Sequence, residues 1–386
     1  MFDSPLHLFQ LPPPGSTVVV AMSGGVDSSL VAVLLAEHGC RVIGATMRVY
    51  DGSIRFPEGT GSGCYGPGEE EDEEACRRLC SQLGADYRIV DLSGVYAREI
   101  LGNFKSEYRL GRTPNPCLRC NPLLKFGLLP QTLRDGGLAF DYYATGHYVR
   151  LFASEAEGAL PYLAPAADPK KDQSYFLYRV RPEVLASVRF PLGSMSKTEV
   201  RRLALERGLE SAEKKDSQDF IAADDYGPVF ADDPPSSGDI VDVAGKKLGT
   251  HHGIVRYTIG QRRGIGLSVG TDPLYVVGLN APTNRVVVGP ESALFSTVLA
   301  ADDPVWAPGY GTEPFRALVK IRLASRPAAA LVTPNAEGSV GVDFDQPQRA
   351  IAPGQSAVFY VEVPGAGLVI AGGAVIKAGE RNARSR

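Results

Sequence analysis

The chain has 386 residues, 44% of them hydrophobic and 22% charged, and a net charge of −4. That is enough for two or three domains with cores of their own, and no apolar run approaches the ~20 residues of a membrane span. The acidic total excludes a chain coated in basic charge but leaves room for a local basic face.

In chain order, residues 1–16 (MFDSPLHLFQLPPPGS) form a proline-rich leader, expected to be loose. It has no basic stretch running into an apolar one, so the expectation is a cytoplasmic protein without a secretion signal. The apolar run Thr17–Met22 reads as a buried parallel strand. Ser28–His38 has helical apolar spacing and ends at Gly39, a C-cap residue. Arg41–Met47 is a second strand, and Glu69–Leu83 is a helix with acids crowded at its start. The acidic run Glu69–Glu74 is expected to be a solvated helix start rather than a metal site. Arg88–Leu92 and Tyr142–Thr145 complete the strands. The alternation predicts an α/β, doubly wound parallel-sheet domain over 17–221. Ser196–Gly208 is a later helix with a capping box, Ser196 and Glu199.

Character changes near residue 222. ADDPPSSGD reads as a linker, and short alternating runs between Gly, Pro and Asp turns indicate β structure. A small β-rich central domain is expected over 222–298, a C-terminal β-barrel over 299–378 and a tail over 379–386. Phe315–Leu323 (FRALVKIRL) puts apolar residues on one face and Arg316, Lys320 and Arg322 on the other.

SGGVDSS, Ser23–Ser29, lies between the first strand and the first helix. Its glycines allow a tight turn and bring amides close to an anion, and the helix N-terminus adds its positive end. It lacks the Gly-Lys-Ser/Thr of a Walker loop. Asp27 has the chemistry to help hold magnesium.

This loop resembles the pyrophosphate loop of the N-type ATP pyrophosphatases, which cleave ATP between the α- and β-phosphates. GRTPNPCLRCNPLLKFG, ATGHY, KDQSYFLY, YTIGQRRGIGL and PGQSAVFY follow in order. Together they resemble the tRNA-specific 2-thiouridylase family over residues 17–377. The resemblance implies an ATP-dependent tRNA-uridine 2-sulfurtransferase that adenylates the 2-carbonyl of the wobble uridine and replaces its oxygen with sulfur. The rival readings are another pyrophosphatase-loop amide ligase and an inactive tRNA-binding protein.

Carried over residue by residue, the resemblance makes Ala21, Met22, Ser23, Gly24, Gly25, Val26, Asp27 and Ser28 the ATP loop. It puts Met47 and Gly146 against adenosine, and Asn115, Pro116 and Cys117 near the target base. It puts His147, Lys171, Asp172, Gln173, Arg322, Leu323 and Gln355 against tRNA. It implies ATP and Mg2+, tRNAs for Glu, Gln and Lys, and a sulfur donor such as a cysteine desulfurase or relay protein. A basic face of Lys171, Lys197, Arg201, Arg262, Lys320 and Arg322 is expected.

Six cysteines in a long chain read as reduced, catalytic or metal-binding thiols rather than a disulfide framework. The resemblance makes Cys120 the nucleophile. The family's second essential cysteine falls at Ile221, which cannot carry sulfur, and Cys117 stands where an aspartate is expected. Two schemes remain open. Cys117 and Cys120 form a dithiol that hands off persulfide sulfur, or they join Cys64, from GSGCYGPGEE, in holding a 4Fe–4S cluster. Cys76 and Cys80, i and i+4 on one helix, read as core residues, and Cys40 as inert.

Overall fold

The computed structural model describes residues 6–56, 63–156, 158–214, 219–221, 226–267 and 273–377. The expected tail 379–386 lies outside them.

Val18, Val19 and Val20 have no solvent exposure, because their strand is covered on both faces. Thr17–Ala21 is the centre of a five-stranded parallel sheet. Arg41–Arg48 and then Asp86–Asp91 lie to one side, Tyr142–Thr145 and then Val188–Arg189 to the other. The chain moves outward one way and then returns to start the other, so strand order reverses beside Thr17–Ala21. The crevice at that switch point, at the strands' carboxyl ends, is where ligands of open α/β sheets bind.

The first helix runs Val26–Glu37 and is buried over most of its surface. It packs with Glu69–Gln82 and Lys197–Glu206 in one apolar cluster with Val18, Val20 and Val42. Ser196 caps the last of these helices, its side chain accepting from the Glu199 amide at 3.2 Å. Cys76, Cys80 and Cys40 belong to this cluster, and the Cys80 thiol lies 3.6 Å from the Met22 sulfur.

Two expectations are corrected. The described part of the leader is tied down: His7–Leu8 pairs with Val149–Ala153, and Phe9 lies over the guanidinium of the fully buried Arg189. The acidic run is not merely solvated. Glu73 is 5% exposed and holds Arg48 with two hydrogen bonds, and the Glu69 carboxylate accepts from the Val49 and Tyr50 amides.

Beyond the linker, a four-stranded sheet has the order Lys247–His251, Gly238–Asp242, Arg285–Gly289, Tyr275–Asn280. The six strands Phe295–Trp306, Ser339–Arg349, Ala328–Pro334, Phe315–Lys320, Ser356–Val363 and Gly367–Ile376 close a barrel. The barrel docks on the first domain through two of the sequence motifs. Tyr175 Oη donates to the Ser356 carbonyl, Tyr178 Oη bonds Ser356 Oγ at 2.8 Å, and Ser174 Oγ bonds Tyr360 Oη. KDQSYFLY and PGQSAVFY are two halves of one interface.

Candidate active site

The phosphate loop turns at Gly24, whose φ of +68° is in the left-handed region. Gly25 has an ordinary φ of −88° and caps the helix. Ser28 Oγ accepts from the Ser23 amide and Ser29 Oγ donates to the Gly25 carbonyl, which curls the loop over the helix start. Gly146, after the strand Tyr142–Thr145, packs against this loop so closely that a methyl group there would lie 2.9 Å from the Ser28 nitrogen.

Asp27 is not free. Lys197 Nζ donates to both its oxygens, at 2.7 and 2.8 Å, and Tyr148 Oη donates at 2.7 Å. Asp72, beside Gly24, is paired with Lys214. Two lysine–carboxylate pairs therefore flank the anion loop. Lys197 was expected on the tRNA face; it is 12% exposed and belongs to the phosphate loop. Helical spacing carries no signal for this pairing, because Asp27 lies on another helix.

The Cys117–Cys120 helix is a single turn whose first amide is held by Asn115 Oδ1 at 3.1 Å. Asn115 therefore orders the loop that carries the thiols. The chain continues through Asn121–Leu128 in wide π-type turns, a geometry that recurs at functional sites. Tyr143 Oη donates to the Lys125 carbonyl and Asn121 Nδ2 to the Phe176 carbonyl, pinning this segment.

Cys64 arrives from a distant part of the chain. Its short strand Gly63–Tyr65 pairs in parallel with Asp219–Ile221, with Tyr65 opposite Ile221. Phe220 and Cys64 share a cleft with Cys117 and Cys120, while Ile221 is 1% exposed in the core. Met47, Val49, Tyr96, Pro116, Asn121 and Lys125 complete the lining. Met47, expected against adenosine, thus sits at the thiol cleft. The thiols differ in setting: Cys64 is exposed, Cys117 intermediate and Cys120 buried. Burial pushes the Cys120 thiol up to about 11, with Lys125 opposing. For Lys125, burial works against the charge, but Cys64, Cys120 and Cys117 outweigh it and hold the ammonium above its ordinary value. Among the described residues, no three His, Cys, Asp or Glu side chains are close enough together to hold a single metal ion.

Several residues expected to touch tRNA have structural work. Asp172 accepts from the Ala166 and Ser174 amides and from Ser174 Oγ. Gln173 Oε1 accepts from the Tyr148 amide, and Gln355 Nε2 donates to the Thr113 carbonyl. Arg322 donates to the Ile259 and Ala350 carbonyls, and Arg201 to those of Ala212 and Lys214. Burial lowers the His147 pKa to about 3, so the ring is neutral and cannot pair with phosphate as a cation. Of the expected basic face, Lys197, Arg201 and Arg322 are engaged by groups of the protein itself. Arg262 and Leu323 are exposed; Lys171 and Lys320 are partly so.

Comparison with known proteins bears on the domains and the family. Residues 16–223 match the family model described as tRNA methyl transferase HUP domain, 232–290 its PRC-barrel domain, and 296–376 an aminomethyltransferase β-barrel domain. The tRNA-specific 2-thiouridylase MnmA of Endomicrobium trichonymphae is 42% identical over 92% of this chain and 98% of its own length. That of Magnetococcus marinus is 43% identical, with the same 92% and 98% shares. The solved U34-tRNA thiolase NcsA of Methanococcus maripaludis, with its 4Fe–4S cluster, is 19% identical over 53% of this chain and 61% of its own, with a TM-score of 0.33; at that distance it says nothing about the site. By its family models and its near full-length relatives, the chain belongs to the tRNA-specific 2-thiouridylase family.

Proposed function

We propose that this chain is an ATP-dependent tRNA-uridine 2-sulfurtransferase acting on the wobble position. The observation that carries the reading is the pairing of an anion loop at the sheet's switch point with a cleft that gathers Cys64, Cys117 and Cys120. An amide ligase needs the first and not the second.

In the proposed reaction the 2-carbonyl oxygen of uracil attacks the α-phosphate of ATP, and pyrophosphate leaves. A sulfur nucleophile then adds to C2 and AMP departs with the oxygen. The Gly24–Ser28 amides and the helix start receive the phosphates, and Lys197 and Lys214 turn from their carboxylates toward them. Mg2+ enters with the nucleotide, on phosphate oxygens and water. Asp27 and Asp72, from which the two lysines turn, would then be open to its water shell.

Of the two sulfur schemes, the assembly of Cys64 with the other thiols supports the cluster. Three thiols lining one cleft supply the kind of ligand that the irons of a 4Fe–4S cluster take. When bound, such a cluster supplies a position for the sulfur to be transferred. Cys120, the most buried of the three thiols, would be one of the residues holding it. The substrates are the tRNAs for Glu, Gln and Lys, the sulfur comes from a desulfurase or relay protein, and the reaction is cytoplasmic.

The test is direct. Reconstituted protein, ATP, sulfide and unmodified transcripts of these tRNAs are incubated anaerobically, and nucleosides are read by mass spectrometry. The reading expects 2-thiouridine at position 34 and tRNA-dependent pyrophosphate release. Pyrophosphate release without thiouridine would favour an amide ligase; neither product would favour a tRNA-binding protein.

A further inference from the structure

Lys125 is used by nothing described so far. Its backbone is pinned, with the carbonyl accepting from Tyr143 Oη at 2.6 Å and the flanking Leu124 and Phe126 at 0% and 2% exposure. Its side chain lines the thiol cleft. Among the described residues no carboxylate is paired with it, and the thiols of Cys64, Cys117 and Cys120 line the same cleft. The rest of the lining is neutral: Met47, Val49, Tyr96, Pro116, Asn121 and Phe220. A partly buried ammonium without an acid is unfavourable by itself. The two lysines described beside the phosphate loop are matched, Lys197 with Asp27 and Lys214 with Asp72.

We propose that Lys125 is the counter-charge for anionic sulfur in this cleft, a positioning residue that holds the sulfur destined for tRNA as thiolate, persulfide or hydrosulfide. The inference rests on the cleft's being the sulfur-transfer site. Anionic sulfur brought beside thiolates in this cleft is repelled by them, and one fixed cation offsets that repulsion. A lysine does this as a point charge on a flexible stem, without competing for the sulfur as a further ligand.

The competing use of Lys125 is an ordinary phosphate contact to tRNA or ATP, and the test separates the two. Metal-free, reduced full-length protein is alkylated with neutral iodoacetamide and, separately, with anionic iodoacetate, and the rates at Cys117 and Cys64 are read by peptide mass mapping. The ratio of the two rates at one thiol cancels its thiolate fraction and reports local charge. Removing a unit charge a few ångströms away in a water-like dielectric should lower the iodoacetate-to-iodoacetamide ratio about threefold. Lys125→Met should show that drop, and Lys125→Arg should keep the wild-type ratio. In the thiolation assay Lys125→Met should lower kcat at least tenfold and leave the KM values for tRNA and ATP within twofold. An unchanged alkylation ratio in Lys125→Met overturns the counter-charge, as does a loss confined to KM. If the ratio falls as expected but wild-type protein makes no thiouridine, the charge assignment stands and the functional reading fails.

Discussion

Gly146→Ala and Gly25→Ala should fail for different reasons. At Gly146 the added methyl would lie 2.9 Å from both the Asp27 Cβ and the Ser28 nitrogen, about 0.6 Å inside a comfortable contact. The obstruction is the backbone of the helix start, so no rotamer change relieves it. Overpacking of this kind costs ~1–3 kcal/mol. The atoms that must yield include the Ser28 amide, one of the orphan donors at the helix N-terminus. At Gly25 the methyl would meet only Ser23 Oγ, at an ordinary 3.6 Å, with a φ of −88° that alanine adopts freely. The fold has room for it; the phosphate does not. Melting followed with and without ATP, together with ATP–pyrophosphate exchange, distinguishes them. Gly146→Ala should melt several degrees early, at ~2–4 °C per kcal/mol, and lose exchange. Gly25→Ala should melt within about a degree of wild type without nucleotide, yet lose both the ATP-induced rise and exchange. A Gly146→Ala protein with normal melting and exchange would refute the packing argument, and an early-melting Gly25→Ala would refute the claim that its space belongs to the ligand.

Lys197→Met strands the Asp27 carboxylate with Tyr148 as its remaining partner, so it should cost ~1–3 kcal/mol in urea unfolding; adding Asp27→Asn should restore stability but not pyrophosphate exchange. Ser356→Ala removes the Ser356 Oγ–Tyr178 Oη bond at the buried docking surface, and should cost ~1 kcal/mol and speed proteolytic separation of the barrel; unchanged proteolysis would contradict the docking role. For His147, the unfolded ring takes a proton near pH 6.5 and the folded ring only near pH 3. Protons therefore favour the unfolded chain as pH falls through 6.5, by up to about 1.4 kcal/mol per pH unit until the folded pKa is reached. Between pH 7 and 5 wild type should lose more stability than His147→Gln, and equal losses would show that the ring is not held neutral.

The parallel sheet was legible because its central strand is an uninterrupted valine run between turn residues, and the anion loop because glycines sit between that strand and a helix. The barrel and central sheet were legible from alternating runs and turns. Long-range pairing was not. Nothing local says that Gly63–Tyr65 lies beside Asp219–Ile221, so Cys64 could be named as a candidate but not placed. Lys197 and Arg201 were expected on the basic tRNA face because helical spacing does not reveal what a neighbouring segment presents; Asp27 meets the first, and the carbonyls of Ala212 and Lys214 the second. Glu73 looked solvated for the same reason, its partner Arg48 lying on the adjacent strand. Asp172, Gln173 and Gln355 were grouped with tRNA, yet each holds a backbone group of another segment. A polar residue in a motif can serve the site by building it.

The central claim is that Cys64, Cys117 and Cys120 form one sulfur-handling centre, and Cys64→Ser tests it most directly. Serine keeps the size but offers a hard, hardly ionised oxygen where iron prefers thiolate. Wild type and variant are reconstituted anaerobically with iron and sulfide. Iron content, absorbance near ~400 nm and thiolation of unmodified tRNA are then measured on the same samples. The account predicts a brown, active wild type and a Cys64→Ser protein that loses colour and activity together while keeping tRNA-dependent pyrophosphate exchange. A fully active Cys64→Ser, or a colourless wild type that still thiolates, would contradict it and leave Cys117 with Cys120 as a persulfide relay.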